Sequence, residues 1–222
     1  ILGPLYFPYV SRHMLYGTGS PNVWHNPTYY PLRFTAILCF TYMVLYLEKP
    51  RNRTLLLIGA VLFLSIFSKP SFALSIIPAL FLNAALAPTR FEPRSYLLPM
   101  MCLAIACPGL FIQYMVLYGE ENIRDASITI APFFSWRLYT NSVLLSFISA
   151  LLFPLLTTAT LFWHKIPLGT GLRLSWLNLL VALTAYILFA EISDGVLTSD
   201  GNFAWTYFVA MGLVFLAALV SL

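Results

Sequence analysis

Charged residues are what this sequence most lacks. Only 9% of its 222 residues are Asp, Glu, Lys or Arg, whereas 60% are hydrophobic. A soluble globular domain carries roughly 25% charged residues, so this chain cannot cover itself with a water-facing surface. Lipid is therefore the expected medium, in which the spanning element is a helix of about 20 apolar residues. The net charge of +4 is small and scattered along the chain, which argues against a nucleic-acid partner.

Short catalytic motifs are absent as well. The sequence contains no P-loop and none of the patterns GxGxxG, GxSxG and HExxH, so it gives no signal for the phosphate loops, hydrolase nucleophile or zinc site that these motifs build. The three cysteines, Cys39, Cys102 and Cys107, lie in apolar runs without CxxC or Cys/His ligand spacing. Such cysteines are predicted to be buried free thiols, and no residue is assigned to a metal.

Seven apolar segments predict an all-α fold, a polytopic bundle of transmembrane helices in a single domain. They are roughly 31–47, 55–68, 72–87, 96–118, 141–163, 174–190 and 205–222. Residues 1–10 are apolar but too short to span, so we expect them to be the tail of an earlier helix in a longer protein. The second and third segments are short and are joined by SKPS (68–71). They either span or form a re-entrant pair that protein buries.

Basic residues in alternate connections predict the orientation of these spans. Three connections together carry seven Lys or Arg against two Glu, and they lie at about 48–54, 88–95 and 164–173. Short loops rich in Lys and Arg stay in the cytoplasm. The remaining connections are then extracytoplasmic, and they lie at about 11–30, 68–71, 119–140 and 191–204. Strict alternation of seven spans satisfies this bias, which favours full spanning over a re-entrant pair.

The first outer loop, about 11–30, contains the polar segment GSPNVWHNPTYY (19–30), which is rich in turn residues. Asn22, Trp24, His25 and Asn26 combine an aromatic face with hydrogen-bonding groups, the combination that suits a sugar or a lipid-linked phosphate. Arg12 supplies a cation nearby. The alternative is an aromatic belt at the membrane interface, which explains the Trp and Tyr residues but not the Asn and His residues packed between prolines.

Two further cations are candidates for phosphate binding. Lys69 lies between two apolar segments, where a lysine at depth is costly. At the outer boundary it could hold the phosphate of a lipid carrier, and the alternative is a lysine that snorkels from a helix end. Arg137, beside Trp136 and just before a span, is either a phosphate clamp or an interface anchor, and we favour the anchor.

The last outer loop concentrates acidic side chains. Glu191, Asp194 and Asp200 lie within ten residues and are followed by Asn202. Spaced carboxylates could bind a divalent cation or accept hydrogen bonds from sugar hydroxyls. The alternative is a solvated loop built on Asp-Gly turns, since SDG occurs at 193–195 and 199–201.

The segment SKPSFALSIIPALFL (68–82) resembles one that recurs in GT-C-type glycosyltransferases. These are multi-pass enzymes that take a sugar from a polyprenyl-phosphate carrier on the outer face of the membrane. Lys69 and Pro78 occupy the matching positions. The loops GSPNVWHNPTYY and DGNFAW are similar to loops of bacterial multi-pass proteins linked to synthesis of cell-surface polysaccharide.

This resemblance implies a glycosyltransferase of the hexosyltransferase type in the plasma (inner) membrane. A hydroxyl of a glycan or lipid acceptor would attack the anomeric carbon, and Lys69 with Arg12 or Arg137 would stabilise the departing polyprenyl phosphate. The first outer loop would position the sugar or the acceptor, and Asp200 and Asn202 would close the cavity. GT-C enzymes place an acidic catalytic residue in their first outer loop, yet no Asp or Glu precedes Glu48 here. The base is therefore expected upstream of Ile1.

Two other functions compete with this one. A polysaccharide polymerase or ligase also works on lipid-linked glycans at the outer face, and it would favour more loop arginines than this chain has. A transporter or flippase should carry polar or charged residues at mid-membrane depth. The clearest polar residues within the spans are Asn83, Gln113 and Asn178, and none is charged. This pattern favours an enzyme that acts at one face of the membrane over a protein that moves a substrate across it.

Overall fold

The computed structural model describes residues 28–87, 93–118, 126–193, 195–198 and 202–222. It confirms an all-α helical bundle, in which a helix occupies each of the seven predicted apolar segments. Within these ranges, five helices are long and apolar enough to cross a membrane, and they run over Tyr30–Glu48, Leu97–Val116, Val143–Trp163, Thr170–Leu188 and Phe203–Val220. Two shorter apolar helices are Asn52–Ser68 and Ser71–Leu86. The predicted tail at residues 1–10 lies outside the described residues.

The chain divides into two compact units. The first unit contains α1 (Tyr29–Glu48), α2 (Asn52–Ser68), α3 (Ser71–Leu86), a 3-10 turn (Pro93–Tyr96) and α4 (Leu97–Tyr118). The second unit contains β1 (Ala126–Ile130), α5 (Phe134–Tyr139), α6 (Val143–Trp163), α7 (Thr170–Leu188), β2 (Phe189–Ser193), β3 (Val196–Thr198) and α8 (Asn202–Val220).

Close contacts fix the directions of the helices in the first unit. A Cβ on Gly59 would lie 3.0 Å from Ile105 Cδ1, and a Cβ on Gly109 would lie 3.2 Å from Ile66 Cγ2. From the first contact to the second, the residue number increases in α2 (59 to 66) and also in α4 (105 to 109), so α2 and α4 run parallel. Glycine at both contacts lets the backbones approach, as is common where helices pack in membranes. The starts of α2 and α4 therefore lie at the same end of the unit.

Large apolar side chains cover the outside of both units. Phe34, Leu56, Leu64, Leu144 and Val220 are between 58% and 79% exposed. So broad an apolar surface would be a liability in water but is the normal outer surface of helices in lipid. The fold is therefore that of a membrane-embedded protein.

A small sheet connects two segments that the sequence analysis gave only as loops. The strand order is β1-β2-β3 and both pairings are antiparallel, with Ile128 opposite Glu191 and Glu191 opposite Thr198. A two-residue turn joins β2 to β3, and its Gly195 has φ +76°, the left-handed conformation that glycine favours in such turns. Residues 126–128 of the predicted outer loop 119–140 therefore pair with residues 191–193 of the predicted outer loop 191–204 at one end of the second unit.

Candidate functional site

The structure describes the side chains of two predicted site residues, Lys69 and Arg137. Lys69 belongs to the first unit and Arg137 to the second. Asn202 begins α8, although the position of its side chain is not described. The other predicted site residues lie outside the described part of the chain, and they are Arg12, Asn22, Trp24, His25, Asn26 and Asp200.

Lys69 and Pro70 form a two-residue link between α2 and α3. Lys69 ends α2 with an extended backbone (φ −170°, ψ 133°), and its N–H donates to the Ser65 carbonyl at 2.9 Å. Pro70 precedes α3, and its carbonyl accepts from the Leu74 N–H at 3.1 Å. Proline suits this position because it has no N–H that the helix would need to satisfy. The half-buried Lys69 is thus fixed at its backbone by both helices.

Two buried serines flank this link. Ser65 and Ser71 are both fully buried, and within the described residues neither hydroxyl has a hydrogen-bond partner. Their neighbours behave differently, since the Ser68 hydroxyl donates to the Leu64 carbonyl at 3.1 Å and the Ser75 hydroxyl to the Phe72 carbonyl at 3.3 Å. A buried hydroxyl without a partner costs about 1–3 kcal/mol. Ser65 and Ser71 therefore have hydrogen-bonding capacity that a ligand could use.

The polar groups at the link share one chemical preference. The first turn of α3 presents backbone N–H groups and the positive end of the helix dipole, which favour an anion. Lys69 adds an ammonium group directly before that turn. A phosphate matches this combination of cation, N–H donors and hydroxyls. We call the set Lys69, Ser65, Ser71 and the first turn of α3 the Lys69 site.

Arg137 lies beside a buried tryptophan, and the two side chains have opposite environments. Arg137 is exposed, whereas Trp136 is 3% exposed and its Nε1–H donates to Ser146 Oγ at 2.8 Å. Both lie on α5, which follows Phe133 at φ +61°. Trp136 is therefore part of the core of the second unit. The exposed Arg137 is compatible with either predicted role, phosphate clamp or interface anchor.

Three aromatic rings form a cluster that the sequence analysis did not anticipate. Trp136 lies 5.6 Å from both Tyr186 and Tyr207, measured between ring centroids, and the two tyrosines stack at 5.3 Å. Tyr207 is fully buried, and its hydroxyl has no partner among the residues described. The sequence carries no local signal for this pairing, since Tyr186 lies eight residues before Asp194 and Tyr207 lies twelve residues after Gly195.

Two asparagines within the spans are buried. Asn178 of α7 is fully buried, and neither its amide oxygen nor its amide nitrogen is hydrogen-bonded within the described structure. Asn83 of α3 is 6% exposed, and its amide oxygen likewise has no hydrogen-bond partner within the described structure. Intramembrane polar groups of this kind are expensive and often functional.

The acidic residues of the last outer loop are only partly described. Glu191 lies on β2 in the sheet, whereas Asp194 and Asp200 lie outside the described residues. Within the described ranges no group of three or more His, Cys, Asp or Glu side chains could hold a metal ion. A divalent cation on these carboxylates stays a prediction.

The predicted burial of the cysteines is correct for two of them and wrong for the third. All three are free thiols, and Cys39 and Cys102 are buried in the first unit. Cys107 is exposed on α4, because an apolar run in a membrane helix faces lipid as well as protein and so does not by itself predict burial.

Comparison with known proteins finds no match to this chain. No family model matches the chain, and no curated protein or solved structure does. Fold and site together define the chain as an α-helical membrane-embedded protein with a polar junction at Lys69.

Proposed function

We propose that this protein is a multi-pass glycosyltransferase of the plasma membrane. It transfers a sugar from a polyprenyl-phosphate carrier to a glycan or lipid acceptor on the extracytoplasmic face. The Lys69 site is the observation that carries this proposal, because it combines a cation, a helix N-terminus and two buried hydroxyls at the junction of two apolar helices.

The carrier has two chemically different parts, and the first unit offers a surface for each. A polyprenyl tail is a hydrocarbon and fits among the apolar outer faces of the helices. A phosphate needs N–H donors and positive charge, which the Lys69 site supplies. Both parts can therefore be held at one membrane boundary.

Transfer proceeds by displacement at the anomeric carbon. The acceptor oxygen forms a bond to that carbon, the bond from that carbon to the phosphate oxygen breaks, and the acceptor proton passes to the catalytic carboxylate that the resemblance implies. Charge grows on the departing phosphate, and Lys69 stabilises it in a medium of low dielectric constant. Arg12 and Arg137 are the further candidates for this role.

The remaining predicted residues would hold the substrates. Asn22, Trp24, His25 and Asn26 are proposed to position the sugar or the acceptor, since an aromatic face stacks on a sugar ring while amides bond its hydroxyls. Asp200 and Asn202 are proposed as further substrate-binding residues.

The buried asparagines favour a second candidate, a transporter of lipid-linked glycans. Asn178 lies near the middle of α7 with both amide atoms unsatisfied in the described structure. Transporters use polar groups at this depth to bind their cargo. The two candidates differ in whether a new glycosidic bond is formed.

Substitution of Lys69 tests the proposal. Membranes that contain wild type, Lys69→Gln or Lys69→Arg would receive radiolabelled polyprenyl-phosphate sugar, and transfer to the acceptor would be measured. Removing a group that stabilises transition-state charge lowers kcat by roughly 10²–10³-fold, so Lys69→Gln should lose most turnover while Lys69→Arg retains more. Lys165→Gln is the matched control, because Lys165 is exposed after α6 in the second unit.

The same experiment separates the two candidates. Unchanged turnover in Lys69→Gln would contradict the proposal that Lys69 stabilises the departing phosphate of a glycosyltransferase. Accumulation of the lipid-linked precursor on the inner face, with no glycosidic bond formed by the purified protein, would support the transporter instead.

A further inference from the structure

A groove of about 630 Å³ opens on the first unit between α3, the 3-10 turn and α4. Its lining includes Phe81 and Ala85 of α3, Tyr96 of the turn and Leu103 of α4. The volume falls within the ~300–1,000 Å³ of small-molecule sites. The groove lies away from the Lys69 site, toward the end of α3 opposite Lys69.

The lining selects a hydrocarbon chain as the occupant. Among the lining side chains only Tyr96 carries a polar atom, so the groove cannot orient a polar molecule along its length. Leu82 and Leu103, which both line it, are each 39% exposed on the outside of the unit. A groove that opens on an apolar outer surface is accessible to lipid chains directly from the bilayer.

Exposed basic residues lie at one end of the first unit, the end at which Tyr96 lines the groove. Because α2 runs parallel to α4, the start of α2 lies at the same end of the unit as the 3-10 turn that carries Tyr96. Lys49, Arg51 and Arg53 are exposed at that end. The sequence adds Arg90 and Arg94 in the segment that leads to Tyr96, and the acidic residues of these two connections are Glu48 and Glu92. Among the described residues at this end, the exposed cations Lys49, Arg51 and Arg53 therefore outnumber the exposed carboxylate of Glu48.

We propose that the groove binds one acyl chain of an anionic glycerophospholipid, whose headgroup phosphate lies near Lys49, Arg51 and Arg53. Basic pockets between membrane helices recognise anionic headgroups in this way. The lipid belongs to the leaflet on the side of the basic loops. The site does not depend on glycosyl transfer, since it uses neither Lys69 nor the polar loops of the second unit.

Native mass spectrometry tests this site. The whole chain would be purified in detergent with equal amounts of phosphatidylglycerol and phosphatidylcholine that carry the same acyl chains. Wild type should retain several-fold more phosphatidylglycerol. Ala85→Trp fills the groove and should lower retained phosphatidylglycerol at least fivefold. Leu86→Trp is the matched control, because Leu86 is the next residue and is 70% exposed outside the groove.

Charge is tested separately from shape. The double variant Arg51→Gln/Arg53→Gln should bring retention of phosphatidylglycerol down to that of phosphatidylcholine, whereas Lys165→Gln/Arg173→Gln in the second unit should leave the preference intact. Equal retention of the two lipids by wild type would overturn the proposal. So would unchanged retention in Ala85→Trp.

A measurement on wild type keeps the proposal falsifiable should Ala85→Trp fail to fold. Phosphatidylglycerol with a photoactivatable diazirine in its acyl chain would be irradiated with the protein, and crosslinked peptides would be mapped. Crosslinks are expected within 77–85 and 96–103. Crosslinks spread evenly over all helices would show that the groove holds no preferred chain.

Discussion

Tyr186 and Tyr207 stack face to face, with ring centroids 5.3 Å apart and ring planes inclined by only 11°. The pair joins the end of α7 to the first turns of α8, just below the hairpin that connects these helices. Trp136 covers both rings from α5. Three elements distant in sequence are thereby held together at the end of the second unit that carries the sheet.

The hydroxyl of Tyr207 should contribute nothing to the stability of the second unit. Tyr207→Phe keeps the stacked ring and removes a buried hydroxyl that has no partner in the described structure, so the melting temperature should stay the same or rise. Tyr207→Ala removes the ring and should cost about 3–5 kcal/mol. Thermal unfolding in detergent measures both, and equal losses in the two variants would contradict this account.

The amide of Asn178 should be destabilising where it lies. Leucine has the same branching as asparagine and no polar atoms, so Asn178→Leu should raise the free energy of unfolding by about 1–3 kcal/mol. Asn83→Leu is the comparison, with a smaller gain expected because only the amide oxygen of Asn83 is unsatisfied in the described structure. Thermal unfolding in detergent measures both variants, and a lower melting temperature in Asn178→Leu would contradict this account.

The close approach of α2 and α4 should depend on Gly109. Gly109→Val places new atoms against Ile66 and should destabilise the first unit by about 1–3 kcal/mol through overpacking. Adding Ile66→Ala should restore part of the loss. Gly212→Val is the matched control, because a Cβ on Gly212 would have no heavy atom within 4 Å. If both glycine variants unfold at the same temperature, helix propensity rather than packing is responsible.

The two ends of α7 should lie on opposite sides of the membrane. In a background without Cys39, Cys102 and Cys107, the variants Lys165→Cys and Val196→Cys each carry one thiol at an exposed position. A membrane-impermeant maleimide should label Val196→Cys in intact cells and Lys165→Cys only after permeabilisation. The reverse pattern would place the sheet in the cytoplasm and remove the outer-face site. Labelling of both in intact cells would show that α7 does not span.

The helices were predictable because lipid leaves the backbone few alternatives. An apolar run in a membrane must satisfy its own N–H and C=O groups, which only a helix can do within one segment. The predicted run 174–190 and α7 differ by four residues at the start, and 55–68 and α2 by three. Composition and length alone were sufficient for this part of the fold.

The sheet and the surroundings of Lys69 could not be derived in the same way. Ile128 pairs with Glu191 across more than sixty residues, and no local pattern specifies such a partner. Lys69 was identified from its isolation between apolar runs, but the hydroxyls of Ser65 and Ser71 become relevant only once both are seen to be buried. Packing rather than sequence spacing makes them part of the site.

The sheet also limits how deep the second unit can sit in the bilayer. Its edge strands in the described structure, β1 and β3, each turn one row of backbone groups away from β2. Hydrocarbon offers those groups no hydrogen bonds, so lipid-exposed strand edges do not occur in the membrane core. The sheet therefore keeps its end of α6, α7 and α8 at the water boundary and limits how far these helices can shift into the bilayer.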